Sequence, residues 1–473
     1  MKYTLFIFRR DLRLEDNNGI NYALENYENI IPIFIFTPEQ VVNNKFKSDN
    51  AIQFMVESLK NLNENLEKHK SKLRIFFGSN EDVLNNIIKN NEIENIIFNI
   101  DYTPYAQSRD EKIKKICEKN NINCNMLEDY LLKPIGSFNK DDGNPYTVYT
   151  PFKNNSLKHK IDKPVDNTKK NKYMKKFVNS SIKLKYIKDE NIEKELNNLD
   201  FLDYVINENI LVRGGRKNGL VVLNNALKLK DYDKNRNTLS YSTSLLSAYI
   251  KFGCLSIREI YHAILDKFGL NSTLLSQLIW REFYFYISYY FPNVLKGENY
   301  NSKYNNIKWN EDENYYKKWC AGETGFPIVD AGMRELNRTG YMHNRSRLIT
   351  SNFLNRMLGM NWTRGELYFA QKLTDYDPSV NNGNWQWISS VGVDPKPYFQ
   401  RLFNPMLQSE KFDKNCEYIK KWIPELKDIP NAELHNWGLH YNKYDLKELN
   451  YVKPIVDYKE AREKSVAMYR KVL

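Results

Sequence analysis

Over the first 130 residues, short apolar runs alternate with longer stretches of helical periodicity. Runs at 4–8, 30–36, 73–77, 96–100 and 122–126 have the length and β-branched or aromatic content of buried strands. Between them, 51–70, 81–89 and 106–118 repeat apolar residues at helical spacing. Strand–helix alternation of this kind predicts an α/β domain built on a doubly wound parallel sheet. No GxGxxG follows the first strand, so a dinucleotide clamped in the usual way is not indicated. The pattern then changes. Pro134, Gly136, Gly143, Pro145, Pro151 and Pro164 punctuate 131–205, which reads as a connector. From 206 to 473 the periodicity is helical almost throughout, as in 220–229 and 245–252, and predicts an all-helical domain.

A chain of 473 residues is too long for one core, which agrees with this division. The net charge of +12 would suggest a polyanionic partner, but its distribution removes most of that inference. Residues 153–188 hold twelve lysines against two aspartates, leaving the rest of the chain near +2. Nucleic-acid binding therefore has to be argued from local sites. Five scattered cysteines without a CxxC pair suggest neither a zinc site nor a disulfide framework. No run approaches the length of a membrane span, and the apolar run after Lys2 stops at Arg9, short of a signal core. The expectation is a monomer in a reducing intracellular compartment, cytoplasm or nucleus, with no membrane contact.

The densest chemistry lies between 340 and 387. It contains Gly-Tyr-Met-His-Asn-Arg-Ser-Arg (340–347), Asn361-Trp362, Asp375-Tyr-Asp377 and Asn-Asn-Gly-Asn-Trp-Gln-Trp (381–387). Arginine forks and carboxylates suit the polar edge of a planar heterocycle. A buried Asp375 would need a partner, and Arg347 is the natural one. Trp385 and Trp387, read in an extended or turn segment, point to opposite sides. A Trp-rich core with structural ion pairs would use the same residues. Upstream, Ser242-Thr-Ser-Leu-Leu-Ser247 opens a helical stretch, where free N–H groups can cap the helix or hold an anion. Gln277, Trp280 and Tyr284 share one helical face.

These motifs, with Phe-Arg-Arg-Asp-Leu-Arg-Leu at 8–14 and Leu-Ile-Trp-Arg-Glu-Phe-Tyr at 278–284, resemble the photolyase/cryptochrome family over essentially the whole chain and in family order. The nearest branch is the class I cyclobutane pyrimidine dimer photolyases. The resemblance implies an N-terminal antenna domain and a helical FAD-binding domain acting on UV-damaged DNA. Excited reduced flavin would lend one electron to the dimer and recover it, with no net redox change.

By the same resemblance, FAD is held by Tyr232, Thr243, Ser244, Leu246, Ser247, Arg347, Asp375, Asp377 and Asn381, the last facing flavin N5. Trp385, Trp362 and Trp309 match the family's electron-hopping chain. Gln277, Trp280, Asn344, Leu348 and Trp387 would surround a flipped lesion, and Arg236, Arg345, Arg401 and Lys411 would meet its phosphates. A second chromophore is implied near 101–110; Ala106 lacks the acidic contact expected for folate, leaving a deazaflavin, another flavin, or none. Asn344 and Leu348 stand where (6-4) enzymes carry a histidine pair, while Gln277 replaces the usual Glu. Asn381 and the absence of a long tail argue against the alternative of a signalling cryptochrome.

Overall fold

The computed structural model describes residues 2–186, 192–394 and 398–472. Lys188 of the lysine-rich run and Pro397, which precedes the 398–405 stretch, lie outside them.

Strands β1 (Tyr3–Phe8), β2 (Ile30–Phe36), β3 (Arg74–Phe77), β4 (Ile93–Asn99) and β5 (Asn123–Leu127) pair in parallel, and β6 (Glu193–Lys194) adds an antiparallel edge. The order is β5-β4-β1-β2-β3-β6. All seven residues of β2, IIPIFIF, are buried, as expected of a strand covered on both faces. The chain leaves β1 toward β3 and returns to β4, so the topological switch point lies between β1 and β4. Ligands of such sheets sit beyond the strand ends at that point.

The sequence pattern missed the helix Asn18–Asn26, whose polar run Asn-Asn-Gly resembles a turn; Asn17 caps it by accepting from the Ile20 N–H. The segment 131–205 is not free chain. Phe177 bridges to Ile30, Lys176 C=O accepts from the Ile30 N–H at 2.8 Å, and Phe138, Phe152 and Leu202 are fully buried. Pro and Gly mark its bends, but its scattered aromatics supply core.

Helices make up nearly all regular structure after 206, and none among the described residues is long and apolar enough to cross a membrane. The two domains meet across a buried charge network. Asp129 accepts from Arg13 at 2.6 Å and from Arg258 at 2.8 Å, and Arg258 also reaches Asp16 at 3.1 Å. At the same seam Gly253 has φ +63°, and a Cβ there would stand 2.1 Å from the Arg10 carbonyl. The α/β domain and the helical domain are therefore packed backbone to backbone.

Candidate functional site

Two helices organise the site. Thr273–Tyr290, capped by Ser272, carries Gln277, Trp280 and Tyr284 on one face. Pro378–Ile388 carries Asn381, Trp385 and Trp387. The stretch 381–387 is thus helical rather than extended: Asp377 caps the helix by accepting from Ser379 and Val380, and Pro378 presets its first turn. At a two-residue spacing a helix also turns the indoles to different sides, so Trp385 is 2% exposed while Trp387 is half-buried. The helices cross where Gly383 faces Tyr284; a Cβ on Gly383 would lie 2.1 Å from that ring. Trp280 and Trp387 each sit one turn from the crossing.

A rim ties the two indoles together. Tyr149 stacks on Trp280 with centroids 3.5 Å apart and planes 7° from parallel, and its hydroxyl donates to Ser276 C=O. Two residues earlier, Thr147 C=O accepts from the Asp394 N–H at 3.0 Å. Arg401 then donates to Asp394 C=O at 2.7 Å and to Trp387 C=O at 2.5 Å, with its guanidinium 4.0 Å over the Trp387 ring. The fork thus joins the Asp394 carbonyl to the last turn of the Trp387 helix. Arg401 is 3% exposed and turned inward, so it braces the Trp387 wall instead of standing free for phosphate. Arg236 and Arg345 remain half-buried at the surface, with Arg345 Nη2 donating to Asn237 at 2.7 Å, and Lys411 is exposed. Asn344 is exposed at the start of helix Asn344–Asn352, and Leu348 is half-buried one turn on. Gln277 Nε2 donates to Thr273 C=O in its own helix and would have to turn to donate to a base.

His343 caps that helix, accepting from the Arg345 N–H at 3.0 Å. Burial, with Arg345 and Arg347 nearby, pushes its imidazole down to about 4, so it is neutral near pH 7. Arg347 donates to Asp375 at 2.9 and 3.1 Å. Burial opposes the Arg347 charge, but Asp375 outweighs it and holds the guanidinium above its ordinary range. Ser247 donates to Asp375 at 2.6 Å and shares a hydrogen bond with Tyr341.

Just before Ser247, Leu245 has φ +55° and Leu246 is right-handed at φ −82°, ψ −16°. That succession turns neighbouring N–H groups to one side as an anion nest. A non-glycine residue held left-handed costs on the order of 1 kcal/mol or more, which points to function. Leu246 itself is buried, so any part it takes in the cradle is by main chain. Thr243, Ser244 and Tyr232 lie half-buried beside it. The nest and the neighbouring Asp375–Arg347 pair fit the diphosphate and polar edge of a dinucleotide.

The Asp377 carboxylate is engaged by the helix cap, by Arg10, and by the Tyr130 hydroxyl at 3.0 Å. Asn381 donates to Glu366 C=O at 3.2 Å. Burial raises the Glu366 carboxyl to about 7. Trp385 packs edge-on to Phe369 at 5.0 Å, Trp362 is 1% exposed and donates to Asn299 at 2.8 Å, and Trp309 reaches the surface beside Tyr469. Trp385 and Trp362 are thus buried and Trp309 is half-buried.

A second space of about 540 Å³ opens at the switch point of the sheet. Asp101, Thr103, Tyr105 and Arg109 line it from the expected 101–110 stretch. Phe46, Lys251 and Glu366, which no sequence motif marked, line it too, as does Tyr376 from the Asp375-Tyr-Asp377 motif.

A family model described as DNA photolyase matches residues 4–169, and one described as the FAD binding domain of DNA photolyase matches 274–471. The chain belongs to the DNA photolyase family. Among curated photolyases, the deoxyribodipyrimidine photo-lyase of Buchnera aphidicola subsp. Baizongia pistaciae (strain Bp) is 33% identical, over 99% of this chain and 98% of its own length. That of Escherichia coli (strain K12) is 32% identical over 98% and 97%. The crystal structure of the archaeal photolyase from Sulfolobus tokodaii, with two FAD molecules and an implied novel light-harvesting cofactor, is 38% identical with a TM-score of 0.85, covering all of both chains. The cryptochrome of Synechocystis sp. PCC6803 is 26% identical with a TM-score of 0.87, covering 99% of each chain. The helical part of this photolyase-family chain is thus an FAD-binding domain.

Proposed function

We propose that this chain is a light-driven DNA repair enzyme that splits cyclobutane pyrimidine dimers. The observation that carries the reading is the pair of half-buried indoles, Trp280 and Trp387, held one turn from a single helix crossing and joined by the Tyr149–Asp394–Arg401 rim. Such a pair accommodates two adjacent planar bases that have left the duplex, a step that costs roughly a few kcal/mol and least for a damaged pair. FAD, when bound, supplies the light-driven electron. The chain's part is to hold diphosphate at the 245–247 nest, to fix Asp375 with Arg347, and to present Asn381 and the Trp385–Trp362–Trp309 series. Arg236, Arg345 and Lys411 meet phosphates beside the lesion. The space at the switch point takes a second chromophore; the S. tokodaii relative favours a flavin there.

The cyclobutane dimer is preferred over the (6-4) product because Asn344 and Leu348 offer no proton donor of histidine type. Under blue light, reduced holoenzyme should restore an oligonucleotide carrying one cyclobutane thymine dimer and leave a (6-4) oligonucleotide unchanged. Gln277→Glu should preserve or raise that yield. Repair of the (6-4) lesion alone would reverse the assignment. For binding, Arg345→Gln should weaken affinity for many sequences alike and lower the salt slope by about one unit, since one phosphate contact is lost.

A further inference from the structure

Arg10, at the end of β1, ties together four segments with one guanidinium. Its Nη1 donates to Asp101 at 3.2 Å, its Nε to Lys251 C=O at 3.2 Å, and its Nη2 to the Asp377 carboxylate and the Tyr130 hydroxyl. The side chains of Arg10 and Asp377 are 19% and 8% exposed. Two of these segments build both sites of the molecule. From 247–252, Ser247 belongs to the flavin cradle, while Lys251 and Phe252 line the switch-point cavity. From 375–378, Asp375 belongs to the cradle, while Tyr376 and Pro378 line the cavity. Arg10 itself stands in the cavity wall, and its backbone is pressed against Gly253.

We propose that Arg10 links the two sites, so that a planar heteroaromatic filling the cavity and FAD in the cradle strengthen each other's binding. The inference rests on the reading of the cavity as a chromophore site. Filling it removes water from the wall formed by Arg10, Asp101 and Lys251. In the lower local dielectric the ion pairs of Arg10 strengthen. The clamp then holds the Lys251 end of one segment and the Asp377 cap of the other, and less freedom is left for FAD to remove. Linkage is reciprocal, so bound FAD fixes Tyr376, Pro378 and Lys251 for the cavity's occupant. Lysine at position 10 could not serve all four acceptors, because an ammonium lacks the planar fork.

The test uses holoenzyme carrying FAD alone and 8-hydroxy-5-deazariboflavin as probe, a tricycle without the diphosphate that the nest would hold. Binding is followed by quenching of the probe, and FAD release by the fluorescence of free FAD. In the unsubstituted enzyme, saturating probe should slow FAD release at least about fivefold, the lower end of ordinary coupling. In Arg10→Met, and in Asp377→Asn should the first variant not fold, the probe should leave the release rate within about 1.5-fold, a near-complete loss of coupling. Hydrogen exchange at 247–252 and 375–378 should slow on adding probe to the unsubstituted enzyme and not to the variants. Probe that binds without changing FAD release overturns the linkage alone. Slowing that persists in folded Arg10→Met removes Arg10 from it. Probe that does not bind rejects the chromophore reading of the cavity, and the linkage with it.

Discussion

Asp129→Ala is expected to be among the most damaging single substitutions in the chain. Asp129 is 3% exposed and accepts from both Arg13 and Arg258, whose side chains are 2% and 6% exposed. Removing the carboxylate leaves buried guanidinium charge under-compensated, a loss of roughly 3–5 kcal/mol for a broken buried pair. Because the network joins the two domains, denaturant titration should show the loss as a lower midpoint or as separated domain transitions. The same carboxylate predicts acid sensitivity. Burial raises its pKa, but Arg13 and Arg258 outweigh burial and hold it below the ordinary carboxylate range. A carboxylate depressed in the folded state stabilises above its unfolded pKa and loses that contribution as pH falls through the folded one. The seam should therefore hold at neutral pH and weaken below about pH 4, the ordinary Asp range, with Asp129→Asn abolishing that dependence at this site.

Arg347→Met should abolish FAD retention. Asp375 would keep Ser247 and lose the guanidinium paired with it, with its side chain 4% exposed. The methionine fills volume without donating, so the carboxylate must take up a proton or water, at a cost of roughly 3–5 kcal/mol. The variant should purify colourless, with a folded circular dichroism spectrum and weakened binding of added FAD. Arg347→Lys should recover only part, since lysine cannot make the two-pronged contact. Yellow Arg347→Met protein with native affinity for FAD would place the cofactor away from Asp375.

The α/β domain was legible because strands β1 to β4 are mostly short apolar runs with amphipathic helices between them, whereas β5, Asn-Cys-Asn-Met-Leu, carries a weaker signal and the Glu-Lys pair of β6 none. Helix 18–26 was not, because its start is indistinguishable from a turn until Asn17 is seen to cap it. The Arg347–Asp375 pair could be read from charge complementarity within one motif. Asp377 showed only its local role as a cap before Pro378: its partners Arg10 and Tyr130 lie more than two hundred residues away. Arg401 was similarly opaque, since a lone arginine in sequence says nothing about which carbonyls it will serve. Tyr149 escaped notice because it sits among prolines and glycines in a stretch that reads as connector, although its ring lies flat on Trp280.

That last contact bears on how such enzymes can be recombined. A chimera joined at residue 130 or anywhere before 147 would take Tyr149 and Thr147 from the same parent as the helical domain, preserving the stack on Trp280 and the tether to Asp394. A junction placed near 205, where the helical pattern begins, would pair one parent's tyrosine with the other's tryptophan. Module boundaries drawn from periodicity alone would cut through the rim that joins Trp280 to Trp387.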